Sequence, residues 1–302
     1  MKQEEKKGNL LGILAVISFS LTLPFTKFLT KSFNFFEIGI LRAIIASSMA
    51  LIIIIYKRET WPLKSDLFRF MIVGFGVVLG FPFLVALGME TVSSGHGGVL
   101  LASLPLSTAI FSYLLSKEKP SLLFWLLSFL GFIVVCTFSI SHTPLKNFSW
   151  SHGDTALFGA VLMGGFGYAQ GGHLSKQYPS WKVISFALIL TFPIVILSTP
   201  FLIDFKILKA TTLKNLSALL YLGLVNNLFA FFLWYKGMAL GGVSKVGQLQ
   251  LLQPFFTILF SIILLNEVFF WLDLIFCLVI VLIVFLTSKT KFSTKNKKDP
   301  KK

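Results

Sequence analysis

Ten apolar runs, each about 20 residues long and divided by short polar joins, limit most strongly what this chain can fold into. Wound as a helix, a run of that length matches the thickness of a hydrocarbon layer. Strands of a membrane barrel would alternate apolar and polar residues, and these runs do not alternate. They are Asn9–Leu29, Phe36–Tyr56, Leu67–Gly88, His96–Ser116, Ser121–Ile140, Asp154–Ser175, Trp181–Ile203, Asn215–Met238, Ser244–Leu265 and Val268–Ser288. Of 302 residues, 55% are hydrophobic and 13% charged, about half the charged share of a soluble domain. The expected fold class is an all-α polytopic membrane protein with ten transmembrane helices.

An internal repeat orders these runs. Gly88–Glu118 and Gly237–Glu267 align at a constant offset of 149, since 237−88, 254−105 and 267−118 are equal. At that offset ten of 31 positions are identical: Gly88, Met89, Gly98, Leu100, Pro105, Thr108, Phe111, Ser112, Leu115 and Glu118. About two would coincide by chance in a window this apolar, so the match marks a duplication. The offset also aligns Lys27 with Lys176, Lys57 with Lys206 and Gly74 with Gly223. Five runs precede Asp154 and five begin there or later. Because five is odd, the two copies enter the membrane from opposite sides and form an inverted repeat. The expected organisation is a first five-helix repeat over 1–150, a second over 151–288, and a basic tail over 289–302.

The net charge is +15. Its distribution argues against nucleic acid, because no aromatic residues interleave with the basic ones. With the N-terminus inside, 20 of the 27 Lys and Arg fall on the inner side, six on the outer side and Arg42 within a helix. That bias predicts cytoplasmic termini; the abundance of Lys, Ile and Phe points to a bacterial inner membrane. The seven tail lysines from Lys289 to Lys302 are placed to meet anionic lipid headgroups. Cys136 and Cys277 both lie inside apolar runs and suggest neither a disulfide framework nor a metal site. No cofactor is expected. The first run lacks a small-residue cleavage motif and is long enough to remain as a helix.

In each copy a proline precedes a glutamate by 13 positions, Pro105 to Glu118 and Pro254 to Glu267, with a final helix beyond. With two tandem units of about 150 residues and Arg42 early in the second helix, this pattern resembles the EamA branch of the drug/metabolite transporter superfamily. Thr191 occupies the place of Arg42 in the second copy, a departure from the pattern. The resemblance implies ten helices, a central cavity between the halves, and export or exchange of small metabolites such as amino acids.

Several residues carry the expectation of a site. Pro105 and Pro254 are paired kinks, which in such repeats point at a central site, although membrane helices also tolerate prolines for packing alone. Gln248, Gln250 and Gln253 precede Pro254, and Gln250, Gln253 and Thr257 share one helix stripe with Ser261. The mates of Gln250 and Gln253 are Leu101 and Leu104, so the shared scaffold does not require these amides. They line a cavity or tie helices together. Asn226 and Asn227 likewise replace Val77 and Val78; Trp234 and Tyr235 follow them as solute contacts or interfacial anchors. Tyr168, Gln170 and His173 lie in a glycine-rich helix, with His173 either in the cavity or at the interface. Ser20 bonds its own backbone or reaches a solute. Arg42 snorkels outward, pairs with Glu37, or attracts an anionic group. No acidic residue stands at mid-membrane, which leaves His96 and His173 as the titrating candidates for any proton coupling.

These features predict a secondary transporter that moves a small polar metabolite, an amino acid or similar zwitterion, by alternating access. The alternatives are an intramembrane scaffold or receptor, or an intramembrane enzyme. For the enzyme, Ser94 and His96 stand two apart and do not share a helix face. No P-loop, nucleophile elbow or metalloprotease motif occurs.

Overall fold

Ten helices can be followed in the computed structural model, which describes residues 2–92, 97, 100–115, 118–141, 151–204, 211–265, 271–290 and 292–294. They are α1 (Gln3–Leu29), α2 (Phe35–Tyr56), α3 (Lys64–Thr91), α4 (Leu104–Leu115) and α5 (Leu122–Ser141) in the first copy. The second copy contains α6 (His152–Leu174), α7 (Ser180–Leu202), α8 (Leu213–Gly241), α9 and α10 (Trp271–Ser288). α9 comprises Val243–Gly247, Gln248–Leu252 and Gln253–Leu265. α1 starts six residues before the expected Asn9, because residues 3–8 continue the helix beyond the apolar run. Its Glu5 meets Lys245 of α9 at 3.0 Å.

Local chemistry sets the other starts. Asn34 accepts from the Glu37 amide while Glu37 accepts from the Asn34 amide, a reciprocal cap that begins α2. Ser151 and Asp154 do the same for α6, and Thr212 caps α8. Large apolar side chains such as Leu122, Leu197 and Phe201 stand exposed on the outside of the bundle. That surface suits lipid rather than water.

The packing obeys the exchange of the two copies. α1 lies against α8 as α6 lies against α3, and α9 meets α1 as α4 meets α6. α2, α4 and α5 pack on their own mates α7, α9 and α10. The mates run in opposite directions. At one end of the α2–α7 pair Glu37 Oε1 accepts from the Asp204 amide at 3.3 Å; at the other, Lys182 Nζ donates to Glu59 Oε2 at 2.9 Å. The repeat is therefore inverted. Its equivalent crossings α1–α8 and α3–α6 are both made by glycine. A Cβ on Gly237 would stand 2.8 Å from the Gly8 carbonyl oxygen, and one on Gly76 2.8 Å from Gly167 Cα. Backbones approach this closely only where no side chain intervenes.

Regular α winding is interrupted at matched places. Gly74–Gly80 of α3 and Tyr221–Phe229 of α8 are π-helical. A turn at Ala102–Ser103 precedes Pro105, and a 3₁₀ segment at Gln248–Leu252 precedes Pro254. The run Ser244–Leu265 is helical but not uniformly α, with the 3₁₀ segment just before Pro254. Pro254 has no N–H for the Gln250 carbonyl, and the Gln253 amide takes that acceptor one residue earlier, which tightens the coil. The all-helical pattern has one small addition. β1 (Glu118–Pro120) pairs antiparallel with β2 (Phe292–Thr294), joining the end of the first copy's fourth helix to the tail.

Candidate functional site

The site begins at a break in α1. Winding stops at Ser20–Leu21 and resumes at Thr22. Pro24 cannot donate to the Ser20 carbonyl, so that oxygen loses its helical partner. Thr257 of α9 supplies the replacement, its Oγ1 donating to Ser20 O at 2.9 Å. Gln253 Nε2 donates to Phe19 O at 3.3 Å, and Thr22 Oγ1 donates to the same oxygen at 2.6 Å. Gln253 and Thr257 are thus engaged in closing the break. Ser20 bonds its own helix, donating to Val16 O at 2.7 Å.

Beside this break lies a buried polar cluster built from three helices. Arg42 of α2 is fully buried (0% exposed) and donates through Nη2 to Asn226 Oδ1 at 2.9 Å and Asn227 Oδ1 at 2.6 Å. Asn226 Nδ2 passes the chain on to Thr22 Oγ1 at 2.7 Å. Both asparagines belong to the π segment of α8. More residues per turn bring successive side chains closer in direction, so two neighbours face one guanidinium. Snorkelling of Arg42 is excluded by its burial, and pairing with Glu37 by the engagement of that carboxylate with Asn34 and Asp204. Arg42 lies about 10 Å along α2 from its first residue.

No described carboxylate compensates this charge; the ionisable side chain that shares its field is Tyr168. Two hydrogen bonds to a guanidinium contribute about 1.5–3 kcal/mol each, against several kcal/mol for burying the ion. Nε and Nη1 of Arg42 and Nδ2 of Asn227 have no acceptor. The cluster is rich in donors and poor in acceptors.

An aromatic wall adjoins it. Phe19, Tyr168, Phe231 and Trp234 come from α1, α6 and α8, with ring centroids 5.2–6.3 Å apart. All four are buried, which corrects the alternative of Trp234 as an interfacial anchor; Tyr235 is buried too and donates to Gly167 O at 3.2 Å. Asn227, Phe231 and Trp234 follow at i, i+4 and i+7, one face of α8. The Trp234 Nε1 also lacks an acceptor. The Gln250 amide lies beside the Tyr168 hydroxyl without a well-formed hydrogen bond, and both its polar atoms are unpartnered.

The structure therefore brings together Arg42, Asn226, Asn227, Tyr168, Trp234 and Gln250, with Ser20, Gln253 and Thr257 around the adjoining break. Gln170 is buried but stands two residues from Tyr168, on a different face of α6. Gln248 is buried with a free amide near the start of α9. His173 meets Ser112 of α4 at 3.1 Å, away from the cluster. His96 lies outside the described residues. Phe19 and Phe231 were not singled out from sequence, since two phenylalanines among 34 carry no local signal.

An inverted pair of five-helix units around a buried polar centre defines a class, the two-repeat helical membrane transporters. The comparisons narrow it. The model of the EamA-like transporter family matches residues 6–140 and 151–289, and the chain belongs to that family. It is 37% identical over 268 residues to the uncharacterized transporter YdeK of Bacillus subtilis, covering 87% of this chain and 91% of that one. It is 24% identical over 276 residues to an uncharacterized transporter of Archaeoglobus fulgidus, covering 86% and 90% of the two chains. One crystal structure matches with a TM-score of 0.75 over 93% of this chain and 98% of that one. At 16% identity this likeness concerns the fold.

Proposed function

We propose that the protein is a secondary transporter that moves a small polar metabolite, an amino acid or similar zwitterion, by alternating access. The observation that carries this reading is the buried Arg42–Asn226–Asn227 cluster, donor-rich and placed between the two repeats. Polar groups at membrane depth are costly unless they serve a solute, an ion or a partner. The halves rock about the pseudo-two-fold axis and open the centre to each face in turn, with helices α3, α4, α8 and α9 around it and α1 and α6 moving. Export from a bacterial cytoplasm, with both termini inside and the basic tail at anionic lipid, completes the reading.

Counterflow into proteoliposomes with a panel of labelled amino acids tests it. Exchange of at least one unlabelled and labelled pair is expected. Movement only of organic phosphates or strongly cationic drugs overturns the substrate class. Cysteines at Gln250, Gln253 and Thr257 test the mechanism. Modification by a water-soluble reagent is expected at one or more of them, and protection of all three from both faces removes the central opening.

A further inference from the structure

We infer that Arg42, with Asn226 and Asn227, is a receptor for a carboxylate group, and that the four-ring wall takes the apolar body attached to it. This rests on the transport reading above and specifies its cargo: a small monocarboxylate with an apolar side chain, apolar amino acids included.

Three observations converge. First, the cation is fully buried, and no described acid answers it. Second, the free atoms are all donors. Nε and Nη1 flank Nη2 on the two edges of the guanidinium, and each keeps unpartnered N–H groups to which a carboxylate oxygen can be presented. Asn227 Nδ2 adds a third donor from the side. Both asparagine Oδ1 atoms already accept from Nη2, which holds the guanidinium in place. Third, the scaffold does not require the cluster. Its positions in the other copy are Thr191, Val77 and Val78. There Thr191 only bonds its own helix, donating to Ala187 O and Leu188 O, and both valines are buried in the core. The same helix crossing is thus built once with the charge and once without it.

From Asn227 to Trp234 is about 10 Å along α8, the length of a small metabolite. Phe231, Trp234, Tyr168 and Phe19 pack against one another beside that distance, with tilted and edge-on contacts. An ammonium group can rest on such faces, so an amino acid fits as well as a simple acid.

Thermal unfolding of the full chain in lipid nanodiscs tests this with four probes of one shape. Leucine and 4-methylvalerate carry the carboxylate; leucinamide masks it and isoamylamine lacks it. The two acids are expected to raise Tm by several degrees at saturation and the other two to leave it unchanged. Equal shifts for acids and non-acids, or none for either acid, overturn the receptor. Arg42→Lys keeps the charge without the planar array of donors, and is expected to bind the acids at least tenfold more weakly.

Because removal of Arg42 can compromise folding, Asn227→Asp supplies a second measurement. It places a carboxylate at the guanidinium from within. A higher Tm without ligand and loss of the leucine shift are expected; an undiminished leucine shift sinks the proposal. Counterflow separates the two readings. If isoamylamine exchanges and the acids do not, transport stands and the receptor falls. If the acids bind and nothing crosses, the receptor stands and transport falls.

Discussion

At the scale of single residues, the asymmetric positions are the informative ones. Pro24 has no proline mate, yet it removes the helical partner of Ser20 O, and Thr257 replaces that partner. Thr257→Val is expected to cost about 1–3 kcal/mol, the penalty of a buried acceptor left alone. In a Pro24→Ala background the backbone donor returns and the same change is expected to cost little. Thermal unfolding of the four proteins in detergent measures this, and equal costs in both backgrounds would overturn it. Gln250 and Gln253 of α9 were legible as an anomaly in the sequence, because their mates are leucines. Their division of labour was not, since it depends on a break in α1 more than 230 residues away. Arg42 was legible as a charge without an assigned partner. Its partners stand 184 and 185 residues away and come together only through the crossing of α2 and α8.

At the scale of elements, hydropathy located the helices well and their interruptions poorly. An apolar run has the same composition whether it winds as α, 3₁₀ or π, so the π segments of α3 and α8 left no compositional trace. The prolines did mark the breaks at Ala102–Ser103 and Gln248–Leu252, because a missing N–H is visible in sequence. The β1–β2 pairing was not legible either, since three residues in a polar join carry no period. The glycine crossings determine how far apart the helices stand. Gly76→Val would place its Cβ 2.8 Å from both Gly167 Cα and the Met163 carbonyl oxygen, atoms that cannot turn aside. A loss of about 1–3 kcal/mol or more is expected, read as a lower Tm and reduced yield of monodisperse protein. An unchanged Tm would mean that α3 and α6 can separate without penalty.

At the scale of the whole molecule, the constant offset of 149 was enough to foresee the inverted arrangement, and the antiparallel α2–α7 pair displays it. One consequence concerns ancestry within a single chain. Because each helix has a counterpart, the crossing of α7 with α3 is a record of how the crossing of α2 with α8 packs when it handles no cargo. The protein therefore contains the blueprint of its own inactive form. Writing that blueprint onto the other side, as Arg42→Thr with Asn226→Val and Asn227→Val, exchanges a buried ion and two amides for side chains already accommodated at the equivalent place. Such replacements are commonly neutral or stabilising by about 1–4 kcal/mol. The triple variant is expected to fold with an equal or higher Tm and to be silent in counterflow. A variant that still exchanges solute would show that recognition resides elsewhere in the bundle. One that fails to fold would show that the two halves, alike in plan, have ceased to be interchangeable in substance.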